Sequence, residues 1–188
     1  MRKIIVSEFL SLDGVMEAPG PSHDFKHAGW TMPFRNETVG AFKRDELFSA
    51  GALLLGRKTY DGFAEAWPKM KDEQGFADRM NGLPKHVAST TLKNPAWNNS
   101  HVLSAPLADS VRALKGQPGG DIVMYGSGRL AGALLQQGLV DELRFLVFPV
   151  VLGSGQRFFE KAPHLTLEAV ESRDMDRGVT LLRYAVQR

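Results

Sequence analysis

The chain has 188 residues, no cysteine, and 23 Lys+Arg against 21 Asp+Glu. That length suits one globular domain that buries a core without disulfides or metals, and the missing thiols exclude cysteine nucleophiles, thiolate zinc sites and disulfide frameworks. A formal net charge of +2, with basic residues only in short pairs such as Arg2-Lys3, Lys43-Arg44 and Arg57-Lys58, leaves no basic stripe for nucleic acid.

Residues 3–10 form a buried strand around Ile4-Ile5-Val6, and Ser7 and Glu8 break that run before an export signal can form. Ser11-Leu12-Asp13-Gly14 is a turn, and residues 15–36, with Pro19-Gly20-Pro21 and Pro33, are irregular. Helical spacing follows over 38–49, with Val39, Phe42 and Leu47 or Phe48 inward. A strand at 50–55 ends at Gly56, and a helix follows at 57–65. A short helix is expected at 74–80, closed by Asn81-Gly82. Strands at 86–89 and 102–103 precede a helix at 106–115 with Pro in its first turn. A strand at 121–125 leads into a helix at 128–137 with Leu130, Leu134 and Leu135 inward, closed by Gly138. A strand at 142–151 and a hairpin of strands at 165–172 and 179–186 complete the chain. Strands alternating with helices predict an α/β fold with a mixed, mostly parallel sheet in one domain. The longest apolar run, residues 145–152, is too short to span a membrane, so a cytoplasmic protein is expected.

Two turns have the residues of a phosphate site. In Leu55-Gly56-Arg57-Lys58-Thr59-Tyr60 a buried strand ends at a glycine, and a helix starts with two cations and a hydroxyl. Helix starts present free N–H groups and a positive dipole end, and arginine grips phosphate with two donors. In Tyr125-Gly126-Ser127-Gly128-Arg129-Leu130-Ala131 a strand runs into G-x-G-x-x-A, the pattern of a dinucleotide turn. The acid that a Rossmann unit carries on its next strand is missing from Leu146-Val147-Phe148-Pro149. This turn is therefore read as a phosphate-binding turn outside a Rossmann domain. A plain strand-to-helix turn with exposed basic residues is the competing explanation for the first, and tight packing without a ligand for the second. Ser89-Thr90 offers small hydroxyl donors at a strand end. A nucleophile-elbow serine and a P-loop are both lacking. His23 and His27, four apart in a loop without H-E-x-x-H, make a poor metal pair, so no metal is expected.

Taken together, these segments resemble the dihydrofolate reductase-like superfamily, and most closely the RibD C-terminal domain family of riboflavin-biosynthesis reductases. The resemblance is carried by Ser11-Leu12-Asp13-Gly14, Leu55 to Tyr60, Ser89-Thr90, Tyr125 to Leu130, and Gly138-Leu139-Val140-Asp141-Glu142-Leu143 running on to Pro149-Val150-Val151-Leu152-Gly153-Ser154-Gly155. Trp30-Thr31-Met32-Pro33-Phe34 points to its stand-alone subgroup. The resemblance implies an NADPH-dependent reductase whose small-molecule substrate is a heterocycle, with a uracil-type pyrimidine of riboflavin biosynthesis first among the possibilities. It implies that Gly56, Arg57, Lys58 and Thr59, with Tyr125, Gly126, Ser127, Gly128, Arg129 and Leu130, hold the cofactor. Arg57, Ser89 and Thr90 would meet its adenosine side. Phe9, Leu12, Gly14, Val15 and Trp30 would line the substrate pocket, and Asp13 is the candidate catalytic residue, a turn-capping role being its structural alternative. A homodimer is implied by analogy, with the apolar strand at 142–151 as a candidate surface. Folate reductases carry an acid sixteen residues before the glycine of the Gly-Arg motif. Here that position is Gly40, and the nearby acids Glu37 and Asp45 are expected off that face. A non-catalytic nucleotide-binding protein on the same scaffold is the alternative.

Overall fold

The computed structural model describes residues 1–21, 24–103, 106–160 and 162–187. Its elements, in chain order, are β1 (Ile4–Ser11), α1 (Glu37–Ser49), β2 (Ala52–Gly56), α2 (Arg57–Ala66), α3 (Phe76–Gly82), β3 (Lys85–Ala88), β4 (Ser100–Leu103), α4 (Leu107–Gly116), β5 (Ile122–Tyr125), α5 (Gly128–Gln136), β6 (Glu142–Phe148), β7 (Leu167–Asp174) and β8 (Thr180–Val186). A single-turn 3-10 helix covers Met32–Phe34. The strands form one sheet in the order β4-β3-β2-β5-β1-β6-β8-β7. The first six are parallel to their neighbours, and β8 and β7 close the edge antiparallel. The expected mixed α/β sheet is therefore present.

Both faces of the parallel part are covered, as crossover helices require. Ile4, Val6, Leu54, Ile122 and Met124 face one cluster with Leu130 and Leu134 of α5. Leu53, Leu55 and Val123 face the other, with Leu47 of α1 and Met80 of α3. A third cluster of Trp30, Leu146, Phe148, Met175 and Leu181 sits under the irregular 15–36 segment. Trp30 anchors that segment: its indole N–H donates to the Glu17 carbonyl at 2.8 Å, and its ring lies edge-on to Phe148. No helix among the described residues is long and apolar enough to cross a membrane.

Several boundaries differ from expectation for local reasons. Helix α3 starts at Phe76 because the Asp72 carboxylate accepts the N–H groups of Gln74, Phe76 and Ala77. It runs through Asn81-Gly82 instead of stopping there. Pro106 stands before α4, not inside its first turn. Strand β6 ends at Phe148, since Pro149 has no N–H to continue the ladder. That strand lies inside the sheet, and its apolar side chains Leu143, Phe145 and Leu146 pack in the core, while Val151 beyond its end is exposed. His23 of the weighed histidine pair lies outside the described residues.

Candidate active site

The sheet order brings β2, β5 and β1 side by side and parallel, so their carboxyl ends open on one edge. Helix α2 begins at Arg57 directly after β2, and α5 begins at Gly128 with two residues between it and β5. The two phosphate-type turns, seventy residues apart in the chain, are joined here. The Gly56 N–H donates to the Ser127 hydroxyl at 2.7 Å, and that hydroxyl donates to Thr59 Oγ1 at 2.9 Å. Gly126 and Ser127 are both left-handed, with φ of 66° and 68°, which turns the chain sharply into α5. A Cβ on Gly126 would lie 2.9 Å from Thr59 Oγ1, so the approach itself requires glycine. Neither helix has a side-chain cap or an acid in its first turn. Two uncapped helix starts thus present their free N–H groups together, the arrangement that suits a diphosphate.

The cations stand around these turns. Lys58 and Arg129 are exposed. Arg57 is held by Asp61 at 2.8 Å and donates to Thr91 Oγ1 at 3.1 Å. Ser89 does not bond Arg57; its hydroxyl accepts the N–H groups of Thr91 and Leu92 and so shapes the loop that carries Thr91. Thr90 is exposed beside it, and Leu130 is buried in the core below the turn.

The Asp13 region is a clasp between two loops. Its carboxylate accepts from Ser11 Oγ at 2.7 Å, from the N–H groups of Leu152 and Gly153, and from Arg157. The Ser11 hydroxyl and these backbone donors pull Asp13 down to about 2. It is an ionised, fully engaged anchor and holds no proton near neutral pH. The clasp continues through Phe158 N–H to the Gly14 carbonyl and Met16 N–H to the Gln156 carbonyl. Val15 and Trp30 are buried in packing positions, Phe9 is half-buried, and Leu12 is exposed.

Strand β1 parts from β5 after the Ser7–Tyr125 pair, while it stays paired to β6 as far as Ser11. The edge of β1 beside Glu8 and Phe9 is therefore left without a β5 partner, and this break between the two strands is the crevice. Beneath it lies a buried polar cluster that sequence reasoning missed. Lys43 of α1 donates to Ser7 Oγ at 2.7 Å and pairs with Glu46, which also accepts from Ser7 and from Arg144 at 3.2 Å. The Lys43 ammonium lies 4.0 Å from the Tyr125 ring centroid and 5.7 Å from that of Phe9. Burial lowers the Lys43 pKa. For Glu46, burial works upward, but Lys43 and Arg144 outweigh it and hold the carboxylate ionised. Burial and then the Glu46 charge push the Tyr125 phenol well up.

Glu8 is the second omission. It is buried, one of its carboxyl oxygens has no hydrogen-bond partner among the described residues, and burial lifts it to about 8. Period-two reading places Glu8 on the face of Ile4, Val6 and Leu10, so the signal was present. The i, i+3 pair Lys43–Glu46 gave none, because charges on a surface helix ordinarily face water.

A mostly parallel sheet in this order, with an antiparallel closing hairpin, is the fold of the dihydrofolate reductase-like class. Within that class the chain belongs to the RibD C-terminal domain family, whose model matches residues 2–181. The chain is 30% identical over 187 residues to the uncharacterized protein YyaP of Bacillus subtilis (strain 168), covering 97% of this chain and 94% of that one. Its fold is similar to that of the diaminohydroxyphosphoribosylaminopyrimidine deaminase/5-amino-6-(5-phosphoribosylamino)uracil reductase of Thermotoga maritima, with a TM-score of 0.66 at 12% identity over 99% of this chain and 57% of that one. It is also similar to that of Enterococcus faecalis dihydrofolate reductase complexed with NADP(H), with a TM-score of 0.62 at 14% identity over 99% and 97% of the two chains.

Proposed function

We propose that this protein is an NADPH-dependent reductase acting on a small planar heterocycle, with a uracil-type pyrimidine of the riboflavin pathway as the leading substrate class. The observation that carries this reading is the Ser127 clasp. It sets two uncapped helix starts side by side, with Arg57, Lys58 and Arg129 around them and no first-turn acid to repel an anion. The family and the reductases that share the fold support the same reading.

The cofactor, when bound, supplies the hydride. The chain's own residues bind and orient. N–H groups of the first turns of α2 and α5 would hold the diphosphate, and Arg57 with Thr91 would meet the adenosine end. The Asp13 clasp fixes the loop from Ser11 to Met16 at the mouth of the β1–β5 crevice. Because Asp13 is ionised and occupied, it acts as a positioning residue in this scheme, and solvent delivers the proton.

Titrating the apo-protein with NADPH and NADH, followed by tryptophan fluorescence, tests the proposal. Micromolar NADPH binding is expected. Arg57→Ala should weaken it about tenfold, the loss of roughly one charge-assisted phosphate contact, with a smaller effect on NADH. Absence of binding by either nucleotide refutes the reading.

A further inference from the structure

The crevice beside β1 contains a charge of opposite sign to the acid of the folate enzymes. At Gly40 the helix has no side chain, and the space a Cβ would take is open for 4 Å around. One turn further along α1, Lys43 reaches the gap between β1 and β5, with its side chain 14% exposed. Two of its three N–H groups are taken by Ser7 and Glu46. The third has no oxygen acceptor among the described residues, and the ammonium lies over the faces of Tyr125 and Phe9.

No carboxylate in this cluster is free to meet a cationic ligand. One Glu46 oxygen serves Ser7 and Lys43, and the other serves Arg144. Arg144 continues to Glu142, Glu142 to Arg183, Arg183 to Glu171, and Glu171 to Arg173. This chain of ion pairs begins and ends on a cation, four cations to three carboxylates, so one positive charge is left over. Its buried end is Lys43. Glu8, close enough to Lys43 to feel its charge, is held neutral by burial. The neighbouring wall is aromatic: Phe9 and Phe34 both pack edge-on to Phe148.

We propose that Lys43 is the specificity-determining residue of the crevice. Its free N–H takes a carbonyl or ring oxyanion of a planar substrate, and the site rejects rings that present an amino or amidinium group at that place. The proposal rests on the reductase reading. An ammonium in a poorly solvated pocket gains from an oxygen acceptor and loses from a second donor, so selection works by attraction and by repulsion together.

A matched pair of probes tests it: 5-phenylpyrimidine-2,4-dione and 2,4-diamino-5-phenylpyrimidine, titrated by calorimetry into the full-length protein, with NADPH titrated separately. The wild type should bind the dione at least tenfold more tightly than the diamine. Lys43→Met should lose that preference, Lys43→Arg should keep part of it, and both should bind NADPH within about twofold of wild type. If Lys43→Met does not fold, Lys43→Met/Glu46→Gln removes both members of the pair and serves in its place. Unchanged dione affinity in the methionine variant, tighter binding of the diamine by wild type, or no dione binding at all overturns the proposal. Failure of NADPH to bind while the dione preference holds would overturn the reductase reading instead and leave the Lys43 assignment standing.

Discussion

Two carboxyl groups five residues apart, at either side of the end of β1, illustrate how environment, not residue type, sets chemistry. Asp13 sits among donors, and its Ser11 and backbone hydrogen bonds pull it to about 2. Glu8 sits in the core with one oxygen unpartnered among the described residues, and burial lifts it to about 8. The consequences for stability have opposite signs. Asp13, lowered from 3.8, contributes stability present above that value and lost as pH falls through about 2. Glu8, raised from 4.5, keeps its proton on folding, so its contribution is full below 4.5 and is lost as pH rises through about 8. Glu8→Gln keeps the shape and removes the titration. Melting curves across pH 5 to 8.5 should show the wild type losing stability as pH rises and the glutamine variant holding nearly level. Parallel curves for the two proteins would show that Glu8 does not carry the slope.

At the level of elements, one hydroxyl couples two helix starts. Ser127 ties the start of α5 to the start of α2, although each belongs to a different strand-to-helix turn. Ser127→Ala leaves the Gly56 N–H without its acceptor and Thr59 without its donor. A cost of about 1–2 kcal/mol is expected from urea unfolding, together with weaker NADPH binding, because the two helix starts lose their fixed spacing. An alanine variant with wild-type stability and affinity would mean that backbone packing alone sets that spacing. The elements themselves were largely legible. Apolar periodicity placed all eight strands and five helices to within a few residues. The misplaced ends trace to single groups: the Asp72 carboxylate that sets the start of α3 at Phe76, two residues later than expected, and Pro149 that ends β6. On α1 the pattern correctly put Val39 and Leu47 inward, yet Phe48 is exposed and Glu46 is buried. An acid buried between Lys43 of its own helix and Arg144 of β6 cannot be told from a solvated one by spacing.

Over the whole molecule, the sheet depends on how closely the crossovers pack at the amino ends of β2 and β5. Gly51, in the turn from α1 to β2, lies against Gly120, which precedes β5; a Cβ on Gly51 would fall 2.6 Å from the Gly120 backbone. Backbone cannot yield as a side-chain tip can. Gly51→Ala should therefore destabilise by more than about 2 kcal/mol, whereas Gly62→Ala in α2, with open space around it, should be neutral or stabilise by up to about 1 kcal/mol. Thermal melts of the two variants decide this, and equal shifts would contradict the packing argument. The amino-acid sequence by itself determined the α/β alternation, the two glycine turns and the family resemblance, because these rest on local periodicity and on backbone freedom at particular residues. Only the tertiary structure decided that the two turns are joined through Ser127, that Asp13 is an anchor, and that Lys43, Glu46 and Glu8 are buried beside the crevice. Those facts depend on which strands become neighbours and on how much water each charge loses, and both are long-range properties of the folded chain.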